Sequence, residues 1–395
     1  MYEMLLQQFM DQGAEMESFS LYNPTRIHLG AGTIKQIGPQ MRQAGVRKCL
    51  LVAGGGSIRA NGVHQQVCDS LKASGIDWTE AWGVQANPTL DKVRELISLA
   101  RSEKVDAILA VGGGSVIDSA KATAAGFHLQ DIWDAFLDKE MISQALPVFT
   151  VLTLSATGSE MNGNAVITNT DQKKKWSISS THLHPRVSII DPAVQCSLPW
   201  RQTVNGALDA TAHILEYFFM DERAEATLAI DAALLRTITA MTNRLQKDPC
   251  DLVARGNLAW SATLALNGIS GAGLNGGDWA CHTIEHAFSV LDPKIAHGEG
   301  LGVIFPAWIE YVSEKTPGRF DYWAKNVHSA DSVSHALHKF RVQIETWGSA
   351  TCLRDLGLRE NQLSELRDII MASRGVGKIV QFSAAEIEAL LMLAF

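Results

Sequence analysis

The segment NGALDATAHILE, residues 205–216, carries a carboxylate at Asp209 and an imidazole at His213. They sit four positions apart in a run whose Ala, Leu and Ile spacing reads as helix, which puts both groups on one face, a turn apart. Further on, DWACHTIEHAFSVLDPKIAHGEG repeats the device with His282 and His286 and adds His297 in a His-Gly pair. One carboxylate with three imidazoles can bind Fe²⁺ or Zn²⁺ and leave a coordination position for water or a substrate oxygen. A divalent ion held this way keeps one net positive charge, which favours an alkoxide over an alcohol at the open position. The other eight histidines, among them His64, His128, His335 and His338, read as ordinary core or surface groups.

Two glycine-rich turns offer a second kind of chemistry. LAVGGGSVIDSAK, residues 109–121, is an apolar run followed by Gly112, Gly113, Gly114 and Ser115, then a helical pattern carrying Asp118. Glycines let main-chain N–H groups approach a pyrophosphate, and a helix N-terminus adds partial positive charge, although a tight strand-to-helix turn alone would also explain the glycines. Another such turn, Gly54 to Ser57, follows KCLLVA and leads to Arg59 without an acid. Where such a turn meets an adenosine ribose, the missing carboxylate favours NADP(H) over NAD(H). Between these turns and the histidines lies TLSATGSEMNGNAVI, with small hydroxyl groups at Thr153, Thr157 and Ser159 to line a groove and an amide donor at Asn162.

These groups must be positioned by two kinds of scaffold. As far as RVSIID the chain alternates β-rich runs (RKCLLVA, DWTEAWG, VDAILAV) with helical stretches (VHQQVCDSLKASG, LDKVRELISLARSEK), the signature of a parallel sheet covered by helices. From about Pro199 onward it reads as almost entirely helical. The expected organisation is therefore an α/β dinucleotide-binding domain over 1–198, with 1–16 as an extension, and an all-α metal-binding domain over 199–395.

Composition narrows the function classes. Over 395 residues, 46% hydrophobic and 19% charged residues suit a chain with large cores, and a net charge of −8 argues against a nucleic-acid surface. There is no long apolar span or secretory leader pattern, so a cytoplasmic protein without a membrane partner is expected. The six cysteines form no CxxC pair, so neither a disulfide framework nor a cysteine zinc site is expected, and most read as buried small hydrophobes.

Taken together, these residues resemble the iron-containing (group III) alcohol dehydrogenase family, particularly its NADPH-dependent butanol dehydrogenase and aldehyde reductase branch. The resemblance runs from YNPTRIHLG at Tyr22 through GGGSVIDSAK, TLSATGSE, IDP, SLP and HTIEHAFSVL to the helical half. It implies a metal held by Asp209, His213, His282 and His297, in a cleft between the domains, with His286 near the nicotinamide and assisting proton transfer. It also implies cofactor contacts at Gly55, Gly56, Ser57, Gly112, Gly113, Gly114, Ser115, Asp118, Thr153, Thr157, Asn162 and Lys175. The spacing from His282 to His297 is one residue longer than the family pattern, an extra residue in SVLDPKIA.

The expected function is a metal-dependent (Fe²⁺ or Zn²⁺) NADP(H)-linked alcohol dehydrogenase or aldehyde reductase for short- to medium-chain primary alcohols and aldehydes. A homodimer is expected, with NPTRIHL as a pairing edge. Three alternatives use the same groups: a glycerol dehydrogenase-like or dehydroquinate synthase-like relative, a metal-dependent hydrolase, and a nucleotide-binding protein without catalysis.

Overall fold

KCLLVA, AILAVG and VFTVL are unbroken apolar runs, the pattern of strands buried on both faces, and they form the inner strands of a sheet. The structure, a computed structural model, describes residues 16–373 and 375–395, so the expected N-terminal extension lies outside the described residues apart from Met16. Eight strands are present among these: β1 Arg26–Leu29, β2 Lys48–Ala53, β3 Asp77–Ala81, β4 Ala107–Gly112, β5 Val148–Leu152, β6 Asn164–Asn169, β7 Lys174–Ser179 and β8 Val187–Ile190. Six of them make a parallel sheet in the order β1-β8-β5-β4-β2-β3, while β6 and β7 form a separate antiparallel hairpin. NAVI, expected within a groove-lining loop, is thus the first strand of that hairpin.

The helices of the first half are α1 Ile37–Gln43, α2 Ser57–Ala60, α3 Val63–Ala73, α4 Leu90–Ser102, α5 Gly114–Gly126 and α6 Ile132–Leu137. They cover both sheet faces, burying Leu51, Leu109 and Val151 on one side and Leu50, Ile108 and Leu152 on the other. In register, Ala53 of β2 faces Val111 of β4 and Gly112 faces Leu152 of β5. Both glycine turns and the TLSATGSE segment therefore leave the sheet at its carboxyl edge, where open α/β sheets bind their ligands.

After Pro199 the described chain is helical: α7 Trp200–Phe218, α8 Glu225–Lys247, α9 Leu252–Ala265, α10 Ala280–Leu291, α11 His297–Lys315, α12 Asp321–Asn326, α13 Val333–Thr346, α14 Leu363–Met371 and α15 Ala384–Leu393. Helix α7 lies at the centre, in contact with α8, α9, α10 and α11. Of the six cysteines only Cys49 and Cys281 are buried, which corrects the expectation for the rest; all six are free thiols. No helix among the described residues is long and apolar enough to cross a membrane.

Two glycines set how closely these layers approach. A Cβ on Gly206 of α7 would lie 2.3 Å from the Ser155 carbonyl oxygen, and one on Gly298 would lie 2.0 Å from the Asn205 carbonyl oxygen. The first contact seats α7 on the loop after β5, and the second seats the start of α11 on α7. Both glycines flank expected metal ligands. Alanine at Gly298 should force these backbones apart and destabilise the fold by about 1–3 kcal/mol. Urea denaturation checks this, with Gly55→Ala as the control because a Cβ there meets nothing within 4 Å.

Candidate metal and dinucleotide site

Helix α7 presents Asp209 and His213, α10 presents His282 and His286, and α11 begins at His297. The potential ligand atoms of Asp209, His213 and His282 all lie within 4.8 Å of one another. His297 Nε2 is 3.5 Å from Asp209 Oδ1, and His213 Nε2 is 3.8 Å from that same oxygen. The His213 and His282 rings stack with centroids 4.8 Å apart, and His297 is 5.4 Å from His282. The structure thus brings all four expected ligands together. The longer loop Asp292–Ala296 does not carry His297 away.

The chemistry of this cluster is unbalanced as it stands. Asp209 Oδ1 and His282 Nε2 are buried and face the cluster with no hydrogen-bond partner among the described residues, and His213, which turns Nε2 towards Asp209, has none there for its buried Nδ1. Leaving one such group unpaired costs about 1–3 kcal/mol, and more for a charged one. Burial pushes Asp209 up to about 6, His282 down to about 3, and His213 well below the usual imidazole range. At neutral pH the cluster therefore offers one carboxylate and unprotonated imidazoles, the state that binds a divalent cation. The residues present fit Fe²⁺ or Zn²⁺.

Two carboxylates that the motif reading did not single out orient these rings. Glu216 Oε1 accepts from the His282 main-chain N–H at 3.0 Å and meets His282 Nδ1 at 2.8 Å, leaving Nε2 directed into the cluster. Burial raises Glu216 to about 8, opposed by the main-chain N–H groups it accepts from. Glu285, fully buried between His282 and His286 in sequence, contacts His297 Nδ1 through Oε2 and lies 3.4 Å from Lys175 Nζ. Burial opposes its ionisation, but His297 and Lys175 hold its carboxyl well below the ordinary range. Carboxylates that fix histidine ligands in this way are half of most metal sites. The available signal was an acid three residues after His213 and another three after His282, each on an otherwise apolar helix.

His286 is half-buried, with its ring 5.5 Å from His297, and burial holds it well below the usual imidazole range. It lines a cavity of about 330 Å³ together with Ser115, Thr157, Trp279 and His282. That cavity shares Asn87, Ser115, Thr157 and His297 with a cleft of about 360 Å³ lined by Gly56, Ser57, Gly112, Gly113, Gly114 and Thr153. Gly55 is not among the lining residues. Helix α5 starts at Gly114, so its N-terminus opens onto the cleft; a Cβ on Gly114 would sit 2.5 Å from Thr157 Cγ2. A larger groove of about 720 Å³ between α8 and α13 contains none of the expected site residues, so the chemistry lies in the two adjoining cavities.

Three expected cofactor residues have their polar atoms engaged in the cavity wall. Asp118 accepts from Ser159 Oγ at 2.6 Å and from the Val166 N–H at 3.1 Å. The Asn162 amide donates to the Thr157 and Leu266 carbonyls at 3.4 and 3.1 Å. Lys175 Nζ donates to Asn87 Oδ1 at 2.9 Å and Ser289 Oγ at 3.2 Å. A fourth group, Lys121, is fully buried and donates to Ser159 Oγ, the Asn162 carbonyl and the Asn164 carbonyl at 2.8, 2.7 and 2.9 Å. It fastens the TLSATGSE segment to α5.

Comparison with known proteins then decides the family. The model of iron-containing alcohol dehydrogenases matches residues 24–192, and that of the C-terminal part of the same family matches residues 203–395. The chain belongs to the iron-containing alcohol dehydrogenase family. It is accordingly an NAD(P)-dependent oxidoreductase with the family's α/β and helical architecture. It is 37% identical to a probable NADH-dependent butanol dehydrogenase of Bacillus subtilis, across 95% of this chain and 99% of the relative. To an NADPH-dependent aldehyde reductase of Escherichia coli it is 34% identical, across 89% of this chain and 92% of that one. The crystal structure of an NADH-dependent butanol dehydrogenase from Thermotoga maritima superposes with a TM-score of 0.93 at 48% identity, covering 96% and 99% of the two chains.

Two outcomes follow from the geometry. Glu216→Gln should weaken Zn²⁺ binding about 10- to 100-fold without unfolding the protein, measured by competition with a chromogenic chelator. In the metal-free protein Asp209 takes up a proton as pH falls through about 6. Zn²⁺ affinity should thus be flat above that pH and weaken below it by about tenfold per unit; Asp209→Asn should flatten the profile at a weaker affinity.

Proposed function

We propose that this protein is a metal-dependent, NADP(H)-linked alcohol dehydrogenase and aldehyde reductase of the butanol dehydrogenase kind, acting on short- to medium-chain primary alcohols and aldehydes. The observation that carries this reading is the pair of unpartnered buried atoms, Asp209 Oδ1 and His282 Nε2, gathered with His213 and His297 beside a cavity continuous with the glycine-lined cleft. Asp209, His213, His282 and His297 hold Fe²⁺ or Zn²⁺. When bound, the metal polarises the aldehyde oxygen and the reduced nicotinamide supplies hydride to the carbonyl carbon. Glu216 and Glu285 keep His282 and His297 in register, and half-buried His286 stays neutral, able to accept or pass on a proton. The turn Gly55 to Ser57 would take the cofactor's adenosine end and Gly112 to Ser115 its pyrophosphate, with Thr153, Thr157, Asp118, Asn162 and Lys175 lining the pocket.

The preference for NADP(H) rests on the adenosine end. The turn Gly54 to Ser57 carries no acid, and Arg59, just beyond it, lies over the Trp82 ring at 3.9 Å. Glu80, on neighbouring β3, is committed to His64 at 2.8 Å, Trp82 at 2.8 Å and Arg59 at 3.3 Å, rather than free to accept from a ribose hydroxyl. The NADPH-dependent relative from E. coli supports this preference, and the NADH-dependent names of the other two weigh against it. In this reading the division falls near Pro199, the protein works in the cytoplasm, and two copies pair through the free edge of β1.

With butanal, anaerobically iron-loaded protein should oxidise NADPH with a higher kcat/KM than NADH. Arg59→Glu should lower the NADPH value at least tenfold and leave the NADH value within about twofold. A reversed ratio in the unmutated protein would refute the cofactor preference, and no oxidation of either would refute the reaction.

A further inference from the structure

The mechanism above leaves Trp279 without a task, yet the fold holds it at some cost. Trp279 precedes α10 with φ 60° and ψ 15°, the left-handed region in which a bulky side chain is rare and strained. Its ring stands edge-on to His282, with centroids 5.2 Å apart, and edge-on to Tyr217 on its other side at 5.3 Å. Two glycines make room for this rack. A Cβ on Gly277 would come 2.5 Å from Trp279 Nε1, and one on Gly271 would come 2.7 Å from Tyr217 Cε1.

The backbone on either side is tied down as well. The Asp278 N–H donates to the Glu216 carbonyl at 2.9 Å, and Asp278 Oδ1 accepts from the main-chain N–H groups of Lys378 and Ile379 at 2.5 and 2.7 Å. Trp279 is half-buried, with part of its ring lining the cavity of about 330 Å³ that holds His213, His282 and His286. Most of the residues that line it carry polar groups; in the helical half its wall is made by the histidines, Leu266 and Trp279. Leu266 is itself held, since its carbonyl accepts from the Asn162 amide.

We propose that Trp279 is the specificity-determining wall of the substrate pocket. With its oxygen at the Asp209–His282 cluster, a substrate lays the carbons next to the carbonyl against the indole, opposite Leu266. A rigid ring there accepts a linear methylene chain and excludes substituents on the carbon beside the carbonyl. The inference rests on the alcohol and aldehyde reading above and names the substrate class as unbranched primary alcohols and aldehydes.

The test compares kcat/KM for butanal and 2-ethylbutanal in iron-loaded wild type, Trp279→Gly and Trp279→Phe, with iron content measured for each. Glycine suits the left-handed backbone, so Trp279→Gly opens the wall while relieving strain, and Trp279→Phe keeps a smaller ring. Wild type should prefer butanal strongly, Trp279→Gly should raise the 2-ethylbutanal to butanal ratio at least tenfold, and Trp279→Phe should give a smaller rise. An unchanged ratio in the glycine variant at wild-type iron content would overturn the proposal. So would loss of iron from both variants, because Trp279 would then act only by holding His282. Wild type inactive on both aldehydes would instead defeat the functional reading itself.

Discussion

The structure turns on a carboxylate and two imidazoles buried together, each with a polar atom left unpaired. In water these groups would all be solvated; in the helical core they lose that solvation, and Asp209 Oδ1, His282 Nε2 and His213 Nδ1 receive no hydrogen bond from the described residues in exchange. Such an arrangement persists only where the surrounding packing imposes it, and here the packing is specific. Gly206 and Gly298 permit backbone contacts that no larger residue would allow, and they lie within one turn of Asp209 and next to His297, respectively. The geometry of the cluster follows from how closely α7 meets the sheet and α11 meets α7.

The same constraint explains why the two halves of the chain act as one site. Helix α7 carries Asp209 and His213, yet its Gly206 rests on Ser155 of the TLSATGSE segment that follows β5. Lys175, on the β6–β7 hairpin, reaches across to Glu285 of α10, whose Oε2 also contacts His297. Moving the sheet relative to the helices would therefore disturb both the groove floor and a ligand. Hydride transfer needs reactants fixed within a few tenths of an ångström, because small misplacements cost large factors in rate. A site built across two rigid layers, each fastened at several points, supplies that precision.

Much of this was legible in the sequence because burial on two faces leaves a plain record. The inner strands are unbroken apolar runs, and the helices that follow Pro199 show apolar spacing near 3.6 residues. The expected ligands were visible because polar groups four residues apart on an apolar helix need a reason. Less visible were groups whose role depends on a partner far along the chain. Glu216 and Glu285 look like ordinary helix acids until His282 and His297 are set beside them. Asp118, Asn162 and Lys175 line the cavity, and their polar atoms are also engaged by Ser159, Leu266 and Asn87, partners that sequence spacing does not place nearby.

Lys121 shows why such groups matter for function even without touching a ligand. An ammonium with no solvent exposure must satisfy all its protons internally, and Lys121 does so on one segment, Ser159 to Asn164. Burial pushes it down to about 7, so near neutral pH the strength of this clamp depends on protonation. Its sign is definite: a lysine whose folded-state value lies below the unfolded one binds fewer protons when folded. Global stability thus rises as pH climbs from about 7 towards 10.5, because the penalty of burying the charge is removed, while the clamp itself loosens. Chain stability and order of the groove floor are driven in opposite directions by one proton, through a residue buried behind the pocket.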